Sequence, residues 1–233
     1  MPQLIHHSYF SGNKMEEKFS YKEFIELLRR VCLEMEASQG KLGKLDAAAG
    51  DGDLGVSVKL GFKAVREGLK SLINKDIGTT LTESGITFNR AGASTFGALL
   101  ATAFICAGSK TKGLKEIGIE DIAVMIKAAA GGINERGKAS LGERTMLDAI
   151  IPAQEAIEKC VAKDKTLKES LAIVAESAEK GAKLTAKMKA KHGRAGWLAE
   201  RCRGVADAGA VAIAIMLRAA SQYLKEKERK DGK

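Results

Sequence analysis

The sequence predicts an all-α fold, on three observations. Among 233 residues proline occurs only 2 times and aromatics make up 5%, while Ala, Leu, Lys and Glu are abundant, a composition that favours helices. Apolar residues recur at helical spacing, and strict two-residue alternation persists nowhere, so no sheet is predicted. Ser/Thr-x-x-Glu boxes stand at Ser20–Glu23, Thr80–Glu83 and Thr166–Glu169. Such boxes open helices because the hydroxyl and the carboxylate satisfy two otherwise orphaned backbone N–H groups.

The elements follow in order. Residues 1–18, including His6 and His7, read as an irregular arm ahead of one domain over 19–228. Ser20 opens the first helix, whose stripe is Phe24, Leu27, Leu28, Val31 and Met35. A loop rich in Asp and Gly follows, and a second helix starts near Val56 and carries Val58, Leu60, Phe62, Val65 and Leu69. Thr80 is expected to open the third, through Ile86 and Phe88, and Ala93–Ser94 the fourth, through Phe104. Glu120 and Asp121 place acids where a helix dipole favours them, at the first turn of a fifth that ends near Gly131–Gly132 or Gly137. A sixth is predicted over about 145–161, a seventh from the Thr166 cap to about Lys191, and an eighth over 208–227. No repeat period or Pro/Ser-rich linker divides them.

The formal net charge is +9. Lysines alternate with glutamates on helix faces and collect in a solvated tail, Lys225 to Lys233, with no basic stripe interleaved with aromatics. That pattern argues against nucleic-acid binding and leaves the excess charge for phosphates or an acidic partner. Cys32, Cys106, Cys160 and Cys202 stand singly, which predicts reduced thiols and a cytoplasmic setting. No secretory signal is visible, and the apolar runs 92–108 and 208–217 are short for a membrane span. They read as helices buried on nearly every side.

Asp46, Asp51 and Asp53 crowd into eight residues, separated by Gly50 and Gly52 and followed by Gly55. Carboxylates this close repel unless a cation sits among them. Hard oxygen donors suit Mg²⁺ or Ca²⁺ rather than zinc, and the spacing is not that of an EF-hand. Gly92-Ala93-Ser94-Thr95 at a helix start offers N–H groups and hydroxyls to an anion, or simply an N-cap at Ser94. Gly142-Glu143-Arg144-Thr145-Met146-Leu147-Asp148 reads mainly as a helix cap, with Met146 either core or a soft face for a base. Arg194, in Gly193-Arg194-Ala195, is a candidate phosphate fork or a surface arginine, and Trp197 is read as packing. No Ser-His-Asp or Cys-His pattern is present, as phosphoryl transfer permits, because positioning and charge neutralisation carry that chemistry.

Taken together and in order, these motifs resemble the dihydroxyacetone kinase L-subunit family. The matching stretches are Leu45-Asp46-x-x-x-Gly50-Asp51-Gly52-Asp53-x-Gly55, Gly92-Ala93-Ser94, Gly137-Lys138-Ala139, Gly142 to Asp148, Gly193-Arg194-Ala195, Glu200-Arg201 and Asp207-x-Gly209-Ala210, over about residues 20–225. The resemblance implies a barrel of eight antiparallel amphipathic helices. It implies that Asp46, Asp51 and Asp53 hold two Mg²⁺ ions bridging the phosphates of ADP or ATP. Leu54, Gly55, Val56 and Ser57 would lie along the phosphates, and Ala93 and Ser94 would meet the nucleotide at a helix start. Gly137 and Met146 would line the adenine, while Asp207, Ala208 and Gly209 would close the site with Arg194, the residue expected to act on the transferring phosphoryl group. Two departures stand out: Leu54 replaces the family's usual His, and Val205-Ala206 and Ala208 replace its His-Gln and Pro. The implied activity is phosphoryl transfer to dihydroxyacetone or a related short ketose held by a separate K subunit. The donor would be ATP, or a phosphotransferase-system phosphohistidine protein that recharges bound ADP, and a homodimer is left open. A nucleotide domain of a fatty-acid-type kinase and a non-catalytic nucleotide-binding regulatory module are the alternatives.

Overall fold

Ser20 caps the first helix as its spacing predicts. Its N–H donates to Glu23 Oε2 at 2.7 Å, while the Glu23 N–H reaches Ser20 Oγ at 3.4 Å. The computed structural model describes residues 18–192 and 203–231. Within them run helices α1 (Tyr21–Ala37), α2 (Gln39–Ala47), α3 (Leu54–Gly68), α4 (Ile77–Ala91), α5 (Thr95–Lys110), α6 (Ile119–Gly137), α7 (Leu147–Val161), α8 (Leu167–Leu184) and α9 (Ala208–Asp231). Short 3-10 turns follow α3 and α8. A two-residue antiparallel ladder, β1 (Phe19–Ser20) with β2 (Glu116–Ile117), ties the start of α1 to the segment before α6; no sheet had been expected, and two residues are too short to leave a periodic trace.

Two expected boundaries move, for tertiary reasons. Thr80 does not open α4. Asp76 does, accepting from the Thr79 N–H at 2.8 Å and from the Gly113 N–H across the α5–β2 loop at 2.9 Å. The Thr80 hydroxyl is buried instead, 2.8 Å from the Tyr21 hydroxyl. The helix predicted to reach about Lys191 stops at Leu184. There the buried Thr185 hydroxyl donates to the Ala182 carbonyl at 2.5 Å and accepts the Asp207 N–H at 2.7 Å, turning the chain toward α9. Helix α2 has no counterpart among the expected elements. Two of its nine residues are glycine and only Leu42 is buried, so neither propensity nor amphipathic pattern signals it.

Contacts run α1–α3–α4–α5–α6–α7–α8–α9 and return to α1, closing a ring of eight helices, with α2 packed on α3. The all-α, single-barrel expectation therefore holds. Phe62, Phe88, Met35, Leu100, Ile133 and Leu147 are among the largest fully buried side chains. Phe88 links α4 to its neighbours by edge-on contacts with Phe62 (5.0 Å) and Phe96 (6.4 Å). Among the described residues no helix is long and apolar enough to cross a membrane.

Asp76 gives a test of the capping argument. Burial works against its charge, but hydrogen bonds from Thr79 and Gly113 outweigh that and hold the carboxyl at about 2. Asp76→Ala is expected to cost about 1–2 kcal/mol in urea unfolding at pH 7. A depressed carboxylate stabilises above its unfolded value, 3.8 here, and that share of the deficit should fade as the pH falls toward 2.

Candidate functional site

The three aspartates meet at the junction of α2 and α3. Asp46 stands in the last turn of α2, Asp51 in the connecting loop and Asp53 at the N-cap position of α3. One oxygen from each lies within 4.8 Å of the others. Asp46 is half-buried and oriented by the Leu54 N–H, which donates to its Oδ2 at 3.1 Å; Asp51 and Asp53 are exposed. Glycine is required twice here. Gly52 has φ +79°, a left-handed conformation that side chains disfavour. A Cβ on Gly55 would collide with the Gln39 carbonyl and stand 2.8 Å from the Gly43 nitrogen, so α3 begins against the backbone of α2. Three hard carboxylate donors converging at a solvent-open helix start fit a magnesium-type cation that keeps further positions for water and phosphate oxygens. Asp46, expected in a loop, is thus a helical residue.

Neighbouring residues extend the site. A Cβ on Gly92 would collide with the Ser57 carbonyl, so the turn between α4 and α5 rests on the first turn of α3. This sets exposed Ala93 and half-buried Ser94 near the aspartates, with Ser94 capping α5 through the Gly97 N–H at 3.0 Å. On the other side of α5, a Cβ on Gly209 would lie 2.9 Å from Met146 Cγ, 3.2 Å from Asp207 Oδ1 and 3.6 Å from Phe96 Cδ2. The starts of α3, α5, α7 and α9 therefore share one end of the barrel, where their N–H groups and dipoles favour anions. Gly137 ends α6, and a Cβ there would be 3.4 Å from Leu99 of α5.

Not every expected contact is available. The Leu54 side chain is buried in the core, so only its backbone can face a ligand; Ser57 and Ala208 are buried too, and Val56 is exposed. Arg194 lies outside the described residues, as do Gly193, Ala195, Trp197, Glu200, Arg201 and the arm with His6 and His7. Sequence reasoning passed over Arg144 and Asp148, taken as parts of a cap, yet both are almost fully buried. Asp148, in the first turn of α7, ties down the preceding loop by accepting the Gly142 and Thr145 N–H groups at 2.5 and 2.7 Å. Nothing in the motif distinguished a buried arginine from a surface one.

Asp207 caps α9 through the Ala210 N–H at 2.7 Å. Burial pushes its carboxyl up to about 6 from the ordinary 3.8; the Ala210 N–H and Arg144 oppose this, and Asp148 adds to it. The residue as a whole is half-exposed, so the desolvation belongs to its carboxylate end. With a raised native value, Asp207 favours folding below pH 3.8, and that contribution is lost as the pH rises through about 6.

Comparisons with known proteins bear on the family and the fold. The family described as the DAK2 domain matches residues 48–222. The chain is 32% identical over 182 residues to the ADP-binding subunit DhaL of the PEP-dependent dihydroxyacetone kinase of Escherichia coli (strain K12), covering 78% of this chain and 87% of that subunit. A second such subunit, from Listeria innocua, is 31% identical, with 87% of this chain and 94% of the subunit covered. The L-erythrulose 1-kinase of Mycolicibacterium smegmatis is 33% identical over 205 residues, covering 86% of this chain but only 34% of the kinase. The chain thus spans about a third of that kinase's length. The crystal structure of the dihydroxyacetone kinase from C. freundii in complex with AMP-PNP and Mg²⁺ shares the fold, with TM-score 0.66 and 22% identity over 95% of this chain and 37% of that one.

Proposed function

The chain belongs to the DAK2 domain family, and we propose that it is the nucleotide-holding L subunit of a kinase for dihydroxyacetone or a related short ketose such as erythrulose. The observation that carries this reading is the convergence of the Asp46, Asp51 and Asp53 oxygens within 4.8 Å of one another. They stand at the barrel end where four helix starts meet. Asp46, Asp51 and Asp53 would hold Mg²⁺, two ions by family resemblance, and bound Mg²⁺ neutralises phosphate oxygens and so eases transfer of the terminal phosphoryl group.

The chain's own residues bind and orient. The segment Leu54 to Ser57 lies along the phosphates, and the N–H groups at Gly55, Val56, Ala93 and Ser94 receive phosphate oxygens. Met146 and Gly137 flank the adenine, and Asp207, Ala208 and Gly209 close the far side. Arg194 is assigned to the developing charge on the transferring group. No side chain in this constellation suits a covalent nucleophile, so the acceptor hydroxyl and its base come from a K-type partner. Two relatives are PEP-dependent ADP-binding subunits, which favours a bound ADP recharged by a phosphohistidine donor protein over free ATP.

Native mass spectrometry of gently purified protein with magnesium tests the reading. ADP that co-purifies and resists exchange is the expected result. An empty site that exchanges ATP keeps the kinase reading but replaces the donor. A protein that binds neither nucleotide overturns it and leaves a non-catalytic helical module, which Leu54 in place of a polar phosphate contact would suit.

A further inference from the structure

We propose that Glu143 and Arg144 are positioning residues for nucleotide binding: from one loop, these adjacent side chains clamp the chain leaving α8 and the chain entering α9. The proposal rests on the nucleotide-holding reading above.

Glu143 holds the first stem. It accepts from the Ser140 N–H of its own loop at 2.8 Å, from Lys191 Nζ at 3.1 Å, and meets His192 Nε2 at 2.5 Å. Arg144 holds the second, donating from Nη2 to the Val205 carbonyl at 3.0 Å. Two residues later Asp207 caps α9 and begins the Asp207–Ala208–Gly209 segment assigned to the nucleotide. The same loop ends at Met146, against which Gly209 packs. One short loop therefore sets the spacing between the base-side wall and the start of α9.

Arg144 is built for this task rather than for stability. Its backbone is left-handed, with φ +61°, and its side chain is 3% exposed. Nε and Nη1 are buried and have no hydrogen-bond acceptor among the described residues. An arginine so placed costs free energy that a methionine of similar volume would not. Its charge instead favours the ionised form of the Asp207 carboxylate, which caps α9, against the opposing influence of Asp148 in the first turn of α7. Holding the Val205 carbonyl two residues ahead of Asp207, while easing the repulsion between these carboxylates, is a positioning role, and it explains an arginine where packing alone would select an apolar residue.

The test compares Arg144→Met, Arg144→Lys and Glu143→Gln with the wild type, measuring Mg–ADP affinity by calorimetry, Mn²⁺ affinity without nucleotide by electron paramagnetic resonance, and thermal midpoint. Arg144→Met is expected to weaken Mg–ADP about tenfold or more, with Mn²⁺ affinity kept within about twofold, because the aspartates lie on other elements. Arg144→Lys should recover part of the loss, and Glu143→Gln, a half-buried change that leaves the fold intact, should weaken Mg–ADP by about threefold. Unchanged Mg–ADP affinity in both Arg144→Met and Glu143→Gln overturns the assignment. So does a loss in Mn²⁺ affinity equal to that in nucleotide affinity, which marks general damage. If Arg144→Met does not fold, Glu143→Gln and Arg144→Lys decide by the same criteria. Wild-type protein that binds Mn²⁺ but no Mg–ADP would defeat the nucleotide reading, and this assignment with it.

Discussion

Asp51→Asn is expected to abolish magnesium-dependent nucleotide binding while leaving every helix in place. Asp51 is exposed in the loop between α2 and α3 and belongs to the only cluster of potential metal ligands among the described residues. Asparagine keeps its volume and its preference for turns, so the loop loses little. What it removes is one of three charges converging on the ion. Divalent cations bound by few protein oxygens depend heavily on each carboxylate. Affinity for Mg–ADP should fall more than about a hundredfold, beyond the effect of removing an outer-sphere partner. The metal-free variant should keep its helical signal and a cooperative melt, because Asp51 lies in the loop between α2 and α3 rather than in either helix. Calorimetry with Mg–ADP and a thermal melt monitored by circular dichroism check both halves. Unchanged affinity would show that the aspartates serve only as turn residues.

Gly55→Ala should cause the largest loss of stability in this region. A single added methyl meets the Gln39 carbonyl, the Gly43 nitrogen at 2.8 Å and the Gly43 Cα at 3.0 Å, all of them backbone atoms that cannot rotate away. Helix α3 must withdraw from α2, at a cost of about 2–4 kcal/mol, at or above the usual range for overpacking. The thermal midpoint should fall by roughly 5–12 °C for a chain of this size. The metal site should suffer as well, because Asp46 rides on α2 and Asp53 on the start of α3. Gly40→Ala is the control: it lies on the same α2, nothing stands within 4 Å of the added methyl, and it should stabilise by about 0.5–1 kcal/mol. Urea titrations of the two variants separate close backbone approach from a general intolerance of α2. Equal stabilities would refute the packing argument.

The same contrast explains which features were legible before folding. Capping boxes at Ser20 and Thr166 announced α1 and α8 because their partners sit three residues away, within reach of any chain that starts a helix there. The box at Thr80 looked identical and failed, since the Tyr21 hydroxyl claims the threonine and Asp76 serves as the cap. Helix α2 escaped notice because its stability comes from a glycine-to-glycine approach with α3, a contact with no periodicity to read. The crowding of Asp46, Asp51 and Asp53 was visible because like charges within eight residues demand an explanation wherever the chain goes. Ser94 was visible as an N-cap for a similarly local reason.

Everything that depends on distant segments required the closed ring. Sequence spacing could not reveal that Ser57 supports Gly92, or that Met146 and Phe96 meet Gly209; those pairings arise when α9 returns to α1 and brings four helix starts to one end. Nor could it reveal that Arg144 is buried and reaches the Val205 carbonyl while Glu143, its neighbour, reaches Lys191 and His192. Local composition and spacing were thus enough to specify most of the helices, the caps at Ser20, Ser94 and Thr166 and an ion-demanding cluster, since those arise from interactions within a few residues. Burial, close backbone approach and the pairing of charges across the barrel depend on which surfaces the closed ring brings face to face, and no short window of sequence contains that information.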